Sequence, residues 1–242
     1  MSKEEHGSLA WLMNEYVQDM IVHMLDARLN EIASKPDAPF AAAGVDFSDY
    51  IVAKTKDAFA AYVLAKGTDI VEPLQAVYRE ILRAQRGGFT VGEYQRAKDD
   101  YLSNLEKTFN NRATTENDKY VREYVRHFLD GNAMPGIETE WQIMQMVANQ
   151  IPVEMINQAF AEVITPDNRA IMILSPEKEG YTLPVKDQVE TALASIDGET
   201  IEGFVDEVKE EPLVPAAPVA GKIVNVTENP LYGTIEWTLS NG

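Results

Sequence analysis

Val17, Met20, Ile21, Met24, Leu25, Leu29 and Ile32 recur at intervals of three and four residues, so Tyr16–Ile32 is predicted to be one amphipathic helix. Its single apolar stripe must be covered by a sheet or by another helix. Leu9–Tyr16 extends the helix backwards, Ser2–Gly7 reads as a loop, and the run containing Pro36 and Pro39 stops it. A β-prone region follows at once. Phe40–Asp46 and Tyr50–Lys54 alternate poorly, whereas Phe59–Ala65 reads as a buried strand ended by Lys66-Gly67-Thr68, and two or three antiparallel strands are expected here. Helical spacing returns with Leu74, Val77, Tyr78, Ile81 and Leu82 behind Pro73, and ends at Gly87-Gly88. Thr90 and Glu93 have the spacing of a capping box, opening a long helix marked by Val91, Tyr94, Ala97, Tyr101, Leu105 and Phe109.

The polar interval Asn110–Thr115 resets the phase, and Val121, Tyr124, Val125, Phe128 and Leu129 form a new stripe closed by Gly131. The pattern fits either two helices or one kinked helix. Trp141, Met144, Val147 and Ala148 predict a short helix with methionines as core filler, and Pro152 opens another with Val153, Ile156, Ala159, Phe160 and Val163. The turn Thr165-Pro166-Asp167-Asn168 delivers Arg169–Leu174, a short apolar run predicted to be a central strand, terminated by Ser175-Pro176. Val185–Ile196 reads as one more helix. Asp197–Glu211 is acidic and turn-rich, Pro212–Pro218 is a semi-rigid extended linker, and Lys222–Val226 and Gly233–Leu239 read as strands. A chain stopping at the turn signal Asn241-Gly242 is expected to continue into a partner strand.

Composition narrows the function. With 242 residues and 45% hydrophobic content the chain can bury a sizeable core, and its net charge of −18 argues against a nucleic-acid partner, which needs Lys and Arg to release counterions. The same charge disfavours an anionic membrane surface. It supplies solubility, and a field that attracts cationic peptides. No stretch is long and apolar enough to span a bilayer, and the start is polar and acidic, unlike a signal peptide. The absence of cysteine excludes disulfide frameworks, thiolate zinc sites and a cysteine nucleophile.

Candidate chemistry is sparse. His6, His23 and His127 are scattered, with no HxxEH, HxxxH or other metal-ligand spacing. His127 follows Glu123 by one turn, a helix-surface spacing. Asp99-Asp100 falls on an exposed helix face, Thr115–Asp118 lacks the ligands and the glycine of a calcium loop, and no GxSxG nucleophile motif is present. Gly87–Gly92 fits neither the dinucleotide fingerprint nor the Walker pattern. Arg79, Arg83 and Arg86 crowd the C-terminal half of their helix, where cations complement the helix dipole. No residue of this chain is assigned as catalytic, cofactor-binding or metal-binding.

Four phrases carry a resemblance: Met24-Leu-Asp-Ala-Arg-Leu-Asn-Glu-Ile32, Gly88-Phe-Thr-Val-Gly-Glu-Tyr-Gln-Arg-Ala-Lys98, Ile151-Pro-Val-Glu-Met-Ile-Asn157 running on to Ile164-Thr-Pro-Asp-Asn-Arg169, and Gly233-Thr-Ile-Glu-Trp-Thr-Leu-Ser-Asn-Gly242. In this order they resemble the insulinase/pitrilysin-type zinc peptidases, and in particular a non-catalytic domain of a long bacterial member. The resemblance implies an α/β sandwich (α+β) of the metallopeptidase-repeat type, with helices over a mainly antiparallel sheet whose first strands would precede Met1. The open sheet edge would then accept Lys222–Leu239 from the same molecule or a neighbour, a route to edge-strand self-association.

In that family an inverted HxxEH motif and a downstream Glu hold zinc in the first domain, and none of these residues has a counterpart here. The resemblance therefore implies that residues 1–196 are a second, non-catalytic domain, 197–221 a linker and 222–242 the first strands of the next domain. The expected role is chamber wall for a zinc-dependent endopeptidase, with the catalytic domain of the same protein and peptide substrates as partners and zinc held outside this chain. The alternatives are a complete acidic α+β binding or assembly module with a C-terminal recognition tail, and an inactive subunit paired with a separate catalytic chain. The compartment stays open.

Overall fold

A computed structural model describes residues 8–50, 53–165, 167–207, 214 and 216–241. The chain divides into two compact units, Met1–Asp206 and Glu207–Gly242.

In the first unit the opening stripe forms helix α1, Leu9–Ala33, started by Ser8, whose side chain accepts the Trp11 amide hydrogen at 3.0 Å. Its buried face is the predicted stripe with Tyr16 and Arg28 added and Ile32 only partly buried. It lies on a hairpin of β1, Phe40–Tyr50, and β2, Ala53–Ala65, which pair Ala43 with Val63, Val45 with Ala61 and Phe47 with Phe59. Register shifts at Phe40/Ala42 and Asp49/Tyr50 explain the poor alternation, since each shift moves the following side chains to the other face. The Asp26 carboxylate on α1 accepts the Val45 amide hydrogen at 2.9 Å, tying helix to strand. Gly44 lies opposite Tyr62, and a Cβ there would come within 2.3 Å of the Tyr62 hydroxyl, so the ring can lie across β1 only where no side chain projects.

Helices α2 (Val71–Gly87), α3 (Val91–Asn110), α4 (Asn117–Asp130), α5 (Ile137–Gln150), α6 (Val153–Ala161) and α7 (Lys186–Asp197) complete this unit. The polar interval after α3 resolves into two helices separated by a short 3-10 turn, Arg112–Thr114. Val77 and Ile81 of α2, Ala97 of α3, Met144 and Val147 of α5, and Ile156 and Phe160 of α6 close over the α1 stripe. An aromatic chain runs from Phe47 to Phe59 at 5.0 Å, Phe59 to Phe160 at 5.6 Å and Phe160 to Phe89 at 5.8 Å between ring centroids, linking the hairpin to α6 and to the α2–α3 turn.

Arg169–Leu174 departs from expectation. It forms no strand, and Ile171, Met172 and Leu174 are exposed. A strand exists only through a hydrogen-bonded neighbour, and among the described residues the sheet of this unit stops at β1 and β2. The arginine trio of α2 has a task beyond the one expected. Arg79 Nε donates to both Glu199 oxygens at 2.9 and 3.0 Å, Arg83 Nε to the Glu202 carbonyl at 3.1 Å, and Arg86 to the Asp197 and Glu199 carbonyls at 2.9 and 3.0 Å. With Arg96 on Asp206 at 3.0 Å, these bonds strap Gly198–Asp206 along α2 and α3.

In the second unit β3, Ile223–Asn229, and β4, Thr234–Leu239, form an antiparallel hairpin pairing Val226 with Trp237, with Gly233 at φ 62° in its turn. Of the Pro-rich stretch preceding it, residues 212, 213 and 215 lie outside the described residues, as do Ser2–Gly7 and Pro166. Among the described residues no helix is long and apolar enough to cross a membrane.

Candidate functional site

The most concentrated chemistry is a buried ion-pair node. Arg28 sits on the apolar stripe of α1, only 3% exposed, and a guanidinium there must be fully paired. Its Nε and Nη2 donate to the two oxygens of Glu93 on α3 at 2.6 and 2.9 Å, in bidentate geometry. Its Nη1 donates to Glu80 on α2 at 3.3 Å and its Nη2 also to the Gly88 carbonyl at 3.1 Å. The rings of Phe204 and Phe89 flank the guanidinium at 4.1 and 5.0 Å. Arg83 pairs with the other Glu80 oxygen, so two arginines balance two glutamates. Glu93 also completes the predicted capping box, accepting the Thr90 amide hydrogen at 2.8 Å.

Beside the node, Gly88 adopts φ 76°, and a Cβ on it would meet the Asn157 amide nitrogen at 2.7 Å. That amide reads the Phe89 backbone in both directions, accepting its N–H at 2.8 Å and donating to its carbonyl at 3.1 Å. Next to Glu93 on α3, the Tyr94 hydroxyl donates to the Ile151 carbonyl at 2.6 Å and lies 3.0 Å from the Tyr16 hydroxyl. Burial pushes both phenols up, Tyr16 the further. The phrases around Met24–Ile32, Gly88–Lys98 and Ile151–Asn157 therefore meet in space, held by Arg28, Glu93, Gly88, Tyr94 and Asn157. Each ionic group of the node is paired with another, so the node locks packing.

The remaining candidates stay apart. His23 on α1 faces Asp100 at 3.7 Å, and His127 on α4 places Nδ1 2.6 Å from the Asn132 carbonyl, closing the C-terminus of its own helix. His6 lies outside the described residues. Asp99 accepts from Gln95 at 2.9 Å along the surface of α3. Among the described residues the most displaced carboxyl is Asp19, which reaches the surface of α1 but is pushed up to about 6 by partial desolvation and by the neighbouring Glu15 and Glu140 carboxylates. Glu140 is itself raised by burial and by Glu123. A surface groove of about 500 Å³ between α2 and α7 is lined by Gln75, Asp187, Gln188, Thr191, Ala192 and Ser195, with no acid–base pair.

Sequence reasoning missed Arg28, Glu80 and Asp19. The signal for Arg28 was present, since a charged residue three places after Leu25 on an apolar stripe demands a buried partner.

No family model matches the chain. It is 26% identical over 226 residues to a PQQL-like zinc protease of Arabidopsis thaliana, a match spanning 93% of this chain and 20% of that protein. The crystal structure of the periplasmic protease PqqL from Escherichia coli superposes with a TM-score of 0.64 at 14% identity, over 97% of this chain and 26% of that one. A predicted insulinase family protease from Yersinia pestis superposes with a TM-score of 0.68 at 13% identity, over 81% of this chain and 42% of that one. This is an insulinase-type fold. The chain thus spans about a fifth of the length of the curated relative it matches. Its α+β arrangement, with helices on a small antiparallel hairpin, is that of these proteases. Zinc belongs by name to the Arabidopsis relative, and among the described residues the donors here do not fit it. His23 and His127 stand on different helices with separate partners, and among the described residues no three of His, Asp and Glu gather where they could hold a metal.

Proposed function

We propose that this insulinase-type chain is a supporting domain of a longer zinc-dependent endopeptidase, the second domain of that protein, forming wall of the substrate chamber while hydrolysis takes place on another domain. One observation carries this reading: the phrases that resemble the peptidases converge on a buried lock that joins α1, α2, α3 and α6, so what the chain shares with them is architecture. The similarity of nearly the whole chain to a fifth of a zinc protease supports it. In this reading residues 1–196 are the domain, 197–221 the connection, whose first residues are strapped onto α2, and 222–242 the opening hairpin of the next domain. The partners are the catalytic domain of the same polypeptide and peptide substrates, and the net charge of −18 favours basic ones. Among the described residues β1 and β2 pair only with each other, and the outer edges of this hairpin are where a further strand would add, including one from a second copy.

The test is peptide hydrolysis. The purified chain is expected to cleave no peptide with or without zinc, and a parent protein lacking these residues is expected to lose activity. Zinc-dependent cleavage by this chain alone, persisting through a contaminant control, would sink the proposal.

A further inference from the structure

Helix α4 is built as a helix and yet buries nothing. Its C-terminus is closed by Gly131 in the left-handed conformation and by the contact between His127 and the Asn132 carbonyl, and Arg122 pairs with Asp118 one turn away. Tyr120, Val121, Tyr124, Val125, Phe128 and Leu129 line one face, all exposed, with Phe128 at 86%. Together they present roughly 600 Å² of apolar surface, at the top of the range for a monomer's largest patch. That is close to one partner's share of a standard interface, about 800 Å². A helix of 14 residues draws most of its stability from packing such a face, and among the described residues of this unit nothing covers it.

We propose that α4 is the helix that docks this domain onto another domain of the same polypeptide, through an apolar, uncharged surface seated over Tyr124, Val125 and Phe128. This rests on the reading above, that the chain is one domain of a longer peptidase, and adds which surface holds it there. Length points to that occupant, because the matched region covers 93% of this chain but only 20% of the zinc protease. Charge narrows the choice further. Within a chain of net charge −18, α4 is balanced, with Lys119, Arg122 and Arg126 against Asp118, Glu123 and Asp130. A balanced helix does not recruit a basic peptide, and an anionic lipid surface repels a chain of net charge −18.

The experiment is side-chain footprinting with a diffusible carbene reagent, reading modification of Tyr124 and Phe128 in this chain alone and in the full-length parent, with the exposed β2 residue Tyr62 as reference. In the isolated chain both should react freely at every protein concentration. In the parent, Tyr124 and Phe128 should fall by about fivefold or more, as expected for the packed core of an interface. Equal modification in the two proteins overturns the proposal. Protection in the isolated chain that grows with concentration also overturns it, by identifying a second copy as the occupant. Either result leaves the supporting-domain reading standing, because that reading fails only through hydrolysis by this chain or an active parent without it.

Discussion

Arg28→Met tests whether the node locks the fold. The change keeps an unbranched apolar stem on the α1 stripe and removes the guanidinium from between Glu93 and Glu80, whose side chains are 6% and 2% exposed. Glu93 then keeps only its Thr90 bonds, and Glu80 keeps Arg83, whose side chain is 29% exposed. Breaking a buried pair from one side costs about 3–5 kcal/mol, chiefly because the other charge is left uncompensated. The lost stacking on Phe204 and Phe89 adds about 1 kcal/mol. A loss of about 4 kcal/mol is expected, a large part of the roughly 5–15 kcal/mol that holds a domain together. Urea unfolding followed by far-UV circular dichroism at pH 7 measures it. The double variant Arg28→Met/Glu93→Leu removes the orphaned charge as well, and should recover about half the loss even though the capping box goes. A single-variant loss below about 1 kcal/mol, or a double variant whose loss is the plain sum of the two single losses, would refute the lock.

Gly88→Ala places a Cβ at φ 76° against the Asn157 amide and should cost about 2 kcal/mol, read as a lowered melting temperature, with Asn157→Ala costing somewhat less. Asp19 has its folded pKa raised to about 6 from 3.8, so the folded state binds more protons between those values and stability rises as pH falls through that window. Asp19→Asn should therefore stabilise the chain at pH 7, by about 1 kcal/mol after solvent screening, and the advantage should vanish near pH 4 in paired thermal melts. Arg86→Ala releases the Asp197 and Glu199 carbonyls from α2, so limited proteolysis should cut within Gly198–Asp206 several-fold faster while global stability changes by about 1 kcal/mol or less.

Much of the architecture was legible because it is local. The α1 stripe, the Thr90–Glu93 capping box, the stops at Gly88 and Gly131 and the separation of α5 from α6 at Pro152 all follow from residues within a turn or two of each other. The resemblance phrases were legible too, but as phrases. That Arg28 would meet Glu80 and Glu93, 52 and 65 residues away, was hidden because a charge on an apolar stripe announces a partner without naming it. The wider role of the α2 arginines was hidden for the same reason. The helix dipole is a sufficient local explanation, while the acidic segment they hold lies more than 110 residues downstream.

By itself, then, the sequence determined where helices start and stop, which faces are apolar, and that no zinc-binding motif is present. Only the tertiary structure decided which charges are buried together and that, among the described residues, Arg169–Leu174 has no pairing neighbour and the stripe of α4 stays uncovered within its own unit. The division follows from range. Periodicity and capping act over a few residues and are written in order along the chain, whereas ion pairing, strand pairing and the covering of a face depend on which distant segments the fold brings together.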